Sequence, residues 1–508
     1  MMSGYSAAVY FFIFLPIALI SYQIAGQKYR KYVLLIFSYL FFIVLSKQLV
    51  LYLLAETVFV YYAGLWIGNC RAKKSSLSKH AIRISILALL AVLFCLKYFN
   101  FSMQIISGII NRSLPQLSIL VPIGISYYTL EAIGYLLEVH WGRVEAEKSF
   151  VKIALFLSFF PQTMEGPIAR FQDTADQLVE GKGIQEELLL EGILRLIWGL
   201  GKKIIIADRL SLVSTAIYDG FTLYTGGVYV FAAIAYTLQL YMEFSGVIDM
   251  VIGSALMFGI RLPENFRQPF FAKDAAEFWR RWHITLGVWF KNYIFYPVTI
   301  SKTVKKWNKF ARKKFGKYIA KLGVSAMALF PVWLCNGLWH GPKMNYIFYG
   351  MYYFVLLFLE IAIEPAVTAF RNRFHIAKDA KWWSALRMVK TWVIIVTGEM
   401  FFRAETVSAG LRMVRSIFTD PFFEQFQNGV FSEAMTNDLL DQLVVIIGCI
   451  IVFAVDAVKE KGVNPIAWIM KQKRPVRWLA YYVLIFSVIV FGAYGAGYQV
   501  VDLIYAGF

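Results

Sequence analysis

The stretch LGVSAMALFPVWLCNGLWHG, residues 322–341, follows a run of lysines and arginines and carries an asparagine and a histidine near the end of an otherwise apolar span. Its length is that of a helix crossing a hydrocarbon core, which takes roughly 20 residues. Comparable stretches recur as VYFFIFLPIALI at 9–20, YVLLIFSYLFFIVL at 32–45, ILALLAVLFCL at 86–96 and YYVLIFSVIVFGAYGAGY at 481–498. Of 508 residues 59% are hydrophobic, 17% aromatic and only 16% charged, more apolar surface than one water-soluble core can hide. The sequence therefore reads as an all-α polytopic membrane protein, with about eleven crossings plus re-entrant and interfacial pieces.

The formal charge of +19 does not indicate nucleic acid, because the basic residues stand in short blocks between apolar spans, as cytosolic loops do. The blocks are KYRK at 28–31, RAKK at 71–74 with Lys79 and Arg83, residues 301–321, RNRF at 371–374 with Lys378, Lys381 and Arg387, and KEK with KQKRPVR between 459 and 477. Residues 416–458 contain no Lys or Arg and carry Asp420, Glu424, Glu433, Asp438 and Asp441, so an acidic loop at 416–441 is expected outside. Both chain ends are expected outside as well. The apolar N-terminal segment lacks a basic n-region and a small-residue cleavage site, and reads as a first membrane helix. Cys70, Cys95, Cys335 and Cys449 form neither a CxxC nor a His/Cys cluster, so no metal centre or disulfide framework is expected.

With no repeat or flexible linker, residues 1–508 read as a single multi-pass domain of the cell membrane. The 301–321 block has nine Lys or Arg and no acid, with Trp307, Phe310, Phe315, Tyr318 and Ile319 interleaved. It reads as a cytosolic interfacial helix that meets anionic headgroups, followed by a long helix starting near Lys321.

Four polar groupings interrupt the apolar runs. His340 lies deep in its span, where an ionisable side chain usually faces a protein-lined cavity, and Pro331 and Gly337 are expected to break that helix. Trp279, Arg280, Arg281, Trp282 and His283 form a second group, near the cytosolic face. Glu243 and Asp249 interrupt the helix expected at 227–258. Glu165 and Arg170, with two prolines and Gly166, make a broken stretch at 159–171. Three of them have a plain structural reading too: His340 as interhelical glue, His283 as a headgroup contact, Glu243 and Asp249 as partners of Arg280 or Arg281. His80, His140 and His375 lie in loop-like, charged surroundings and are given no role.

Zinc-protease, nucleophile-elbow and phosphate-loop motifs are absent. The residues alone leave open a transporter or lipid-binding protein with a histidine in its path, or an enzyme with a general base at membrane depth. For an enzyme the economical reaction is acyl transfer from a thioester to a hydroxyl, since a neutral imidazole with an ordinary pKa of about 6.5 takes up a hydroxyl proton near neutrality.

The series PIGISYYTLEAIGYLLEV, SFFPQTMEGPIARF, YMEFSGVIDMVIG, PENFRQPFFAKDAAEFWRRWHITLGVWFKNYIF, NGLWHG and MFFRAE resembles, in order and spacing, the membrane-bound O-acyltransferase superfamily. The likeness covers about 119–405, the expected catalytic core. It is strongest to the bacterial branch of alginate O-acetyltransferase and teichoic-acid D-alanyltransferase membrane subunits. The resemblance implies tilted helices around a central tunnel, with His340 and His283 as the catalytic histidines. It implies a cytosolic thioester donor, acyl-CoA or an acylated carrier protein, and no permanently bound cofactor. The acceptor it implies is a hydroxyl of a cell-surface polysaccharide or of an extracytoplasmic partner protein, with acetyl as the favoured group and D-alanyl transfer to teichoic acid as the alternative. Asn336, one turn before His340, is placed to bond it or the carbonyl oxygen. Trp339, Trp279, Arg280, Arg281, Trp282, Glu243, Asp249 and Glu165 complete the expected substrate-binding set. Glu243 stands where the alginate branch carries an aspartate, and Glu165 where a small or apolar residue is usual.

Overall fold

In the computed structural model, which describes residues 8–420, 425 and 439–494, every regular element is helical. Seven helical stretches among the described residues are long and apolar enough to cross a membrane: Gln27–Ala72, Leu77–Ile110, Gly226–Met257, Gly316–His340, Met344–Arg373, Leu439–Glu460 and Arg474–Phe491. The expected eleven is therefore not reached by length and composition, because apolar segments such as Ile125–Trp141, of 17 residues, are too short. The 46-residue stretch is two helices, Gln27–Ser46 and Val50–Ala72, divided by a turn in which Lys47 takes a φ of 50°. Residues such as Ile36, Leu51 and Tyr62 point outward from these helices and suit a hydrocarbon surround.

The described residues cluster into two compact units, Met1–Ile204 with Glu243–Glu264 and Pro465–Phe508, and Ile205–Met242 with Asn265–Asn464. In the first, Ile125–Trp141 is almost entirely buried, its polar side chains Ser126, Thr129, Glu131 and Glu138 included. The 159–171 stretch meets its two carboxylates. Glu131 accepts the Ala169 N–H at 2.9 Å and the Gln162 amide, while Glu138 accepts Nε and Nη2 of Arg170 at 2.9 and 2.7 Å. The broken backbone there thus presents donors to buried acids, which would otherwise be costly. His140 is not in a loop: it lies in the last turn of this helix, its Nδ1 2.9 Å from the Ser78 hydroxyl.

Gly192 and Gly199 of Glu186–Gly201 meet Gly253 and Gly246 of Gly226–Met257, backbone to backbone, and a Cβ at any of the four would collide with a facing carbonyl oxygen. Small residues allow this approach between membrane helices. It sets Asp249 2.9 Å from Arg195 and 2.6 Å from Lys202, and Glu243 3.3 Å from Lys203. The expected partners, Arg280 and Arg281, pair instead with Asp274, Glu277 and Glu460. The reason is helix register: the glycine contact brings Arg195 of Glu186–Gly201, and Lys202 and Lys203 just beyond its end, alongside the two acids.

In the second unit, Gly316–His340 and Met344–Arg373 form an antiparallel hairpin. Pro331 lies inside the first helix without ending it, and neither it nor Gly337 makes the expected break. Gly337 instead seats the helix against the Tyr346 carbonyl, and Gly350 seats its partner against the Trp333 carbonyl, so close packing holds the helix through the proline. The long helix starts at Gly316, not near Lys321, because Gly316 adopts a left-handed φ of 84° after Lys302–Lys314 ends. That shorter helix turns Val304, Trp307 and Ala311 inward and its lysines outward, with Trp307 over Gly323. Of the acidic segment, Glu424, Glu433 and Asp438 lie outside the described residues. Asp420 follows Val407–Thr419, and Asp441 pairs with Arg209 at 2.9 Å.

Candidate active site

The second unit contains a cavity of about 1360 Å³ whose lining includes Trp279, Arg280, Arg281, Trp282, His283, Asn336 and His340. Two segments far apart in sequence bring these residues together. The first is Ala275–Arg281, started by Asp274, whose side chain accepts the Glu277 N–H at 2.7 Å. It is followed by His283 in a left-handed conformation, φ 44°, and by Ile284–Phe290. Such a φ is uncommon outside glycine, asparagine, aspartate and histidine, and persists where surroundings enforce it. Here residues 265–267 enforce it, running beside 281–284. The Asn265 carbonyl accepts the Ile284 N–H and the Arg281 carbonyl accepts the Arg267 N–H, each at 2.9 Å. The Asn265 side-chain oxygen takes the Thr285 N–H and hydroxyl at 3.0 and 2.9 Å and lies 3.2 Å from His283 Nδ1.

The second segment is the end of Gly316–His340. His340 is its last residue, and Gly341 turns the chain with φ 147°, a conformation open to glycine. The two glycines of NGLWHG therefore place the histidine, one by close helix packing and the other by ending the helix. His340 is 4% exposed and His283 3% exposed. The Trp339 ring stands 5.3 Å from the His283 ring and 5.0 Å from the His340 ring, edge to face in both cases. One indole thus separates the two imidazoles. Tyr349 and Phe402 also meet His340 edge to face, at 5.7 and 5.0 Å, and the Tyr349 hydroxyl donates to buried Glu399 at 2.7 Å. These aromatic rings pack round the buried His340 imidazole.

His283 stands between short helices, outside the seven long apolar ones, and burial pushes its imidazole down to about 3, so it is neutral near pH 7. Arg281 bonds Glu460 through both terminal nitrogens, at 2.7 and 2.9 Å, and Glu277 at 2.7 Å, which fixes the peptide leading to His283. Asn336 is 7% exposed and its side-chain oxygen accepts no hydrogen bond within the described residues, so the one-turn spacing does not place that oxygen on His340. Among the described residues no three His, Cys, Asp or Glu side chains gather as metal ligands.

The residues expected to form the site divide in space. Trp339 contacts both histidines without lining the cavity, whereas Glu243, Asp249 and Glu165 belong to the first unit and do not line it. Sequence reading missed Asn265, Tyr349, Glu399 and Phe402. It also missed Arg267, Lys291, Arg371 and Lys378, lining cations that form no ion pair among the described residues.

The chain is thus a multi-pass helical protein that buries two imidazoles against one cavity. The chain belongs to the membrane-bound O-acyltransferase family, MBOAT, whose model matches residues 144–400. It is 34% identical over 419 residues to "Probable alginate O-acetylase AlgI" of Pseudomonas aeruginosa, covering 82% of this chain and 75% of that protein. It is 27% identical to "Peptidoglycan O-acetyltransferase" of Helicobacter pylori, covering 81% and 79% of the two chains. To "Teichoic acid D-alanyltransferase" of Bacillus subtilis it is 27% identical, over 55% of this chain and 68% of the other. The chain is thus a membrane acyltransferase, and the transporter reading left open by the residues alone falls away.

Proposed function

We propose that the protein carries a short acyl group, acetyl, from a thioester donor on the cytosolic side to a hydroxyl of an extracytoplasmic polysaccharide, or of a partner protein that completes the transfer. The observation that carries this reading is the shared cavity of His283 and His340 in a chain that is similar, over most of its length, to proteins named as O-acetylating. In the transfer the hydroxyl oxygen bonds to the acyl carbon as the carbon–sulfur bond breaks. His340 takes the hydroxyl proton, the sulfur leaves as thiolate and is later protonated, and the products are an ester and a free thiol. His283 and the tryptophans at 279 and 282 stand on the donor side. Arg267, Lys291, Arg371 and Lys378 suit the phosphates of acyl-CoA or of a carrier protein's pantetheine arm.

Replacing His340 by Ala and weighing the surface polymer by mass spectrometry tests the reading. Loss of acylation with normal membrane insertion is expected, and unaltered acylation would overturn it. The likeness to teichoic acid D-alanyltransferases favours a second reading, D-alanyl transfer from a carrier protein, over a smaller part of the chain. The mass of the added group separates the two.

A further inference from the structure

We infer that Asn265 is a positioning residue that holds His283 as the Nδ1–H tautomer, so that Nε2 is its proton-accepting nitrogen. The orientation of the amide comes first. Thr285 N–H can only donate, and it points at the Asn265 side-chain atom 3.0 Å away, so that atom is the oxygen and not the nitrogen. A flipped amide would set two donors against each other. The same oxygen lies 3.2 Å from His283 Nδ1, and an amide oxygen only accepts. His283 Nδ1 therefore carries the hydrogen, and in the neutral ring the lone pair falls on Nε2.

The arrangement is built and not incidental. Asn265 is 0% exposed, its backbone carbonyl holds Ile284, and its side chain spans the left-handed turn at His283. Of the two Asn265 oxygens the backbone one receives the Ile284 N–H, and it is the side-chain one that lies against His283 Nδ1. The side chain is thus the element that selects the tautomer. The consequence rests on the proposed acyl transfer: at neutral pH His283 accepts a hydrogen bond or proton at Nε2 and does not donate one to the thioester oxygen.

The chain has five histidines, few enough for nitrogen-15 NMR of the full-length protein labelled only at histidine. His283→Gln identifies the resonance by its loss. The expected result at pH 7 is a protonated Nδ1 and an unprotonated Nε2 for His283. In Asn265→Leu that signature is lost and kcat falls at least about tenfold with the donor KM little changed, whereas Asn265→Asp, which keeps the acceptor, restores the tautomer. A protonated Nε2 in the unaltered protein overturns the inference, and that spectrum decides even if the Leu variant does not fold. Normal polymer acylation by His283→Ala would remove the role of His283 in transfer while leaving the tautomer result standing, so the two failures are distinguishable.

Discussion

Gly337 and the Tyr346 carbonyl are in backbone contact, with no room for a Cβ between the helix that ends in His340 and the helix that follows it. Gly337→Ala must push the two apart or bend the first, and overpacking of this kind costs about 1 to 3 kcal/mol. The last turn of the helix carries Trp339 and His340, so displacement reaches the site directly. A lowered apparent Tm in detergent and a loss of acyl transfer of about tenfold or more are expected together. Gly323→Ala, on the same helix but facing Trp307, provides a comparison distant from the histidine.

Asp249 has the surroundings of a structural acid, with Arg195 and Lys202 on either oxygen and only 8% of the residue exposed. Removing it takes the carboxylate from buried Lys202 and leaves Arg195 with Glu264 alone, and breaking a buried pair typically costs about 3 to 5 kcal/mol. Asp249→Ala is expected to give little membrane-inserted protein. The double change Asp249→Leu with Lys202→Met is expected to recover much of the yield. Quantifying folded protein by fluorescence-detected gel filtration checks both, and normal folding of the single variant would contradict the role.

How much of this was legible in the sequence differs between the two units. The aromatic and basic cluster at 279–283 and the Asn336–His340 turn were readable because polar groups in apolar surroundings stand out. Glu243 and Asp249 stood out equally, yet their partners depend on which glycines two helices place in contact, a register that hydropathy does not carry. Tyr349 and Phe402 were hidden for the opposite reason: an aromatic in an apolar run looks the same whether it faces lipid or an imidazole. Asn265 acts on a histidine eighteen residues away through a tight turn, and nothing in the spacing of the two marks that contact.

Glu277 gives the Ala275–Arg281 wall of the cavity an acid sensitivity with a definite sign. Burial alone would raise its carboxyl, but the Lys273 N–H and the Arg281 guanidinium outweigh that and hold it below the ordinary carboxylate range. Since the folded state depresses this pKa, the stabilisation is complete above the unfolded value of about 4.3 and is lost as pH falls through the folded one. Glu277→Gln should therefore lower the apparent Tm modestly at pH 7, by the equivalent of about 1 kcal/mol or less for a partly exposed pair, and progressively less below pH 4. Melting curves of the two proteins at intervals between pH 7 and 3.5 test this, and a gap that widens on acidification would show the sign to be wrong.

The cations Arg267, Lys291, Arg371 and Lys378 line the cavity that holds both histidines, and no ion pair occupies them among the described residues. In the proposed transfer a phosphate-bearing donor would find charge there, with its acyl carbon beside the imidazoles. Binding at a point remote from the reacting bond is felt alike in ground and transition states, so its loss raises KM and leaves kcat nearly unchanged. Arg371→Glu with Lys378→Glu is expected to raise the donor KM about tenfold or more, and the unaltered protein should show a KM that climbs with salt, as screening of exposed charges requires. Both effects are read from initial rates of thiol release with acetyl-CoA, or with an acylated carrier protein should that be the donor. An unchanged KM for the active donor would assign these cations to the membrane surface, and a fall in kcat alone would place them nearer the chemistry than the cavity lining implies.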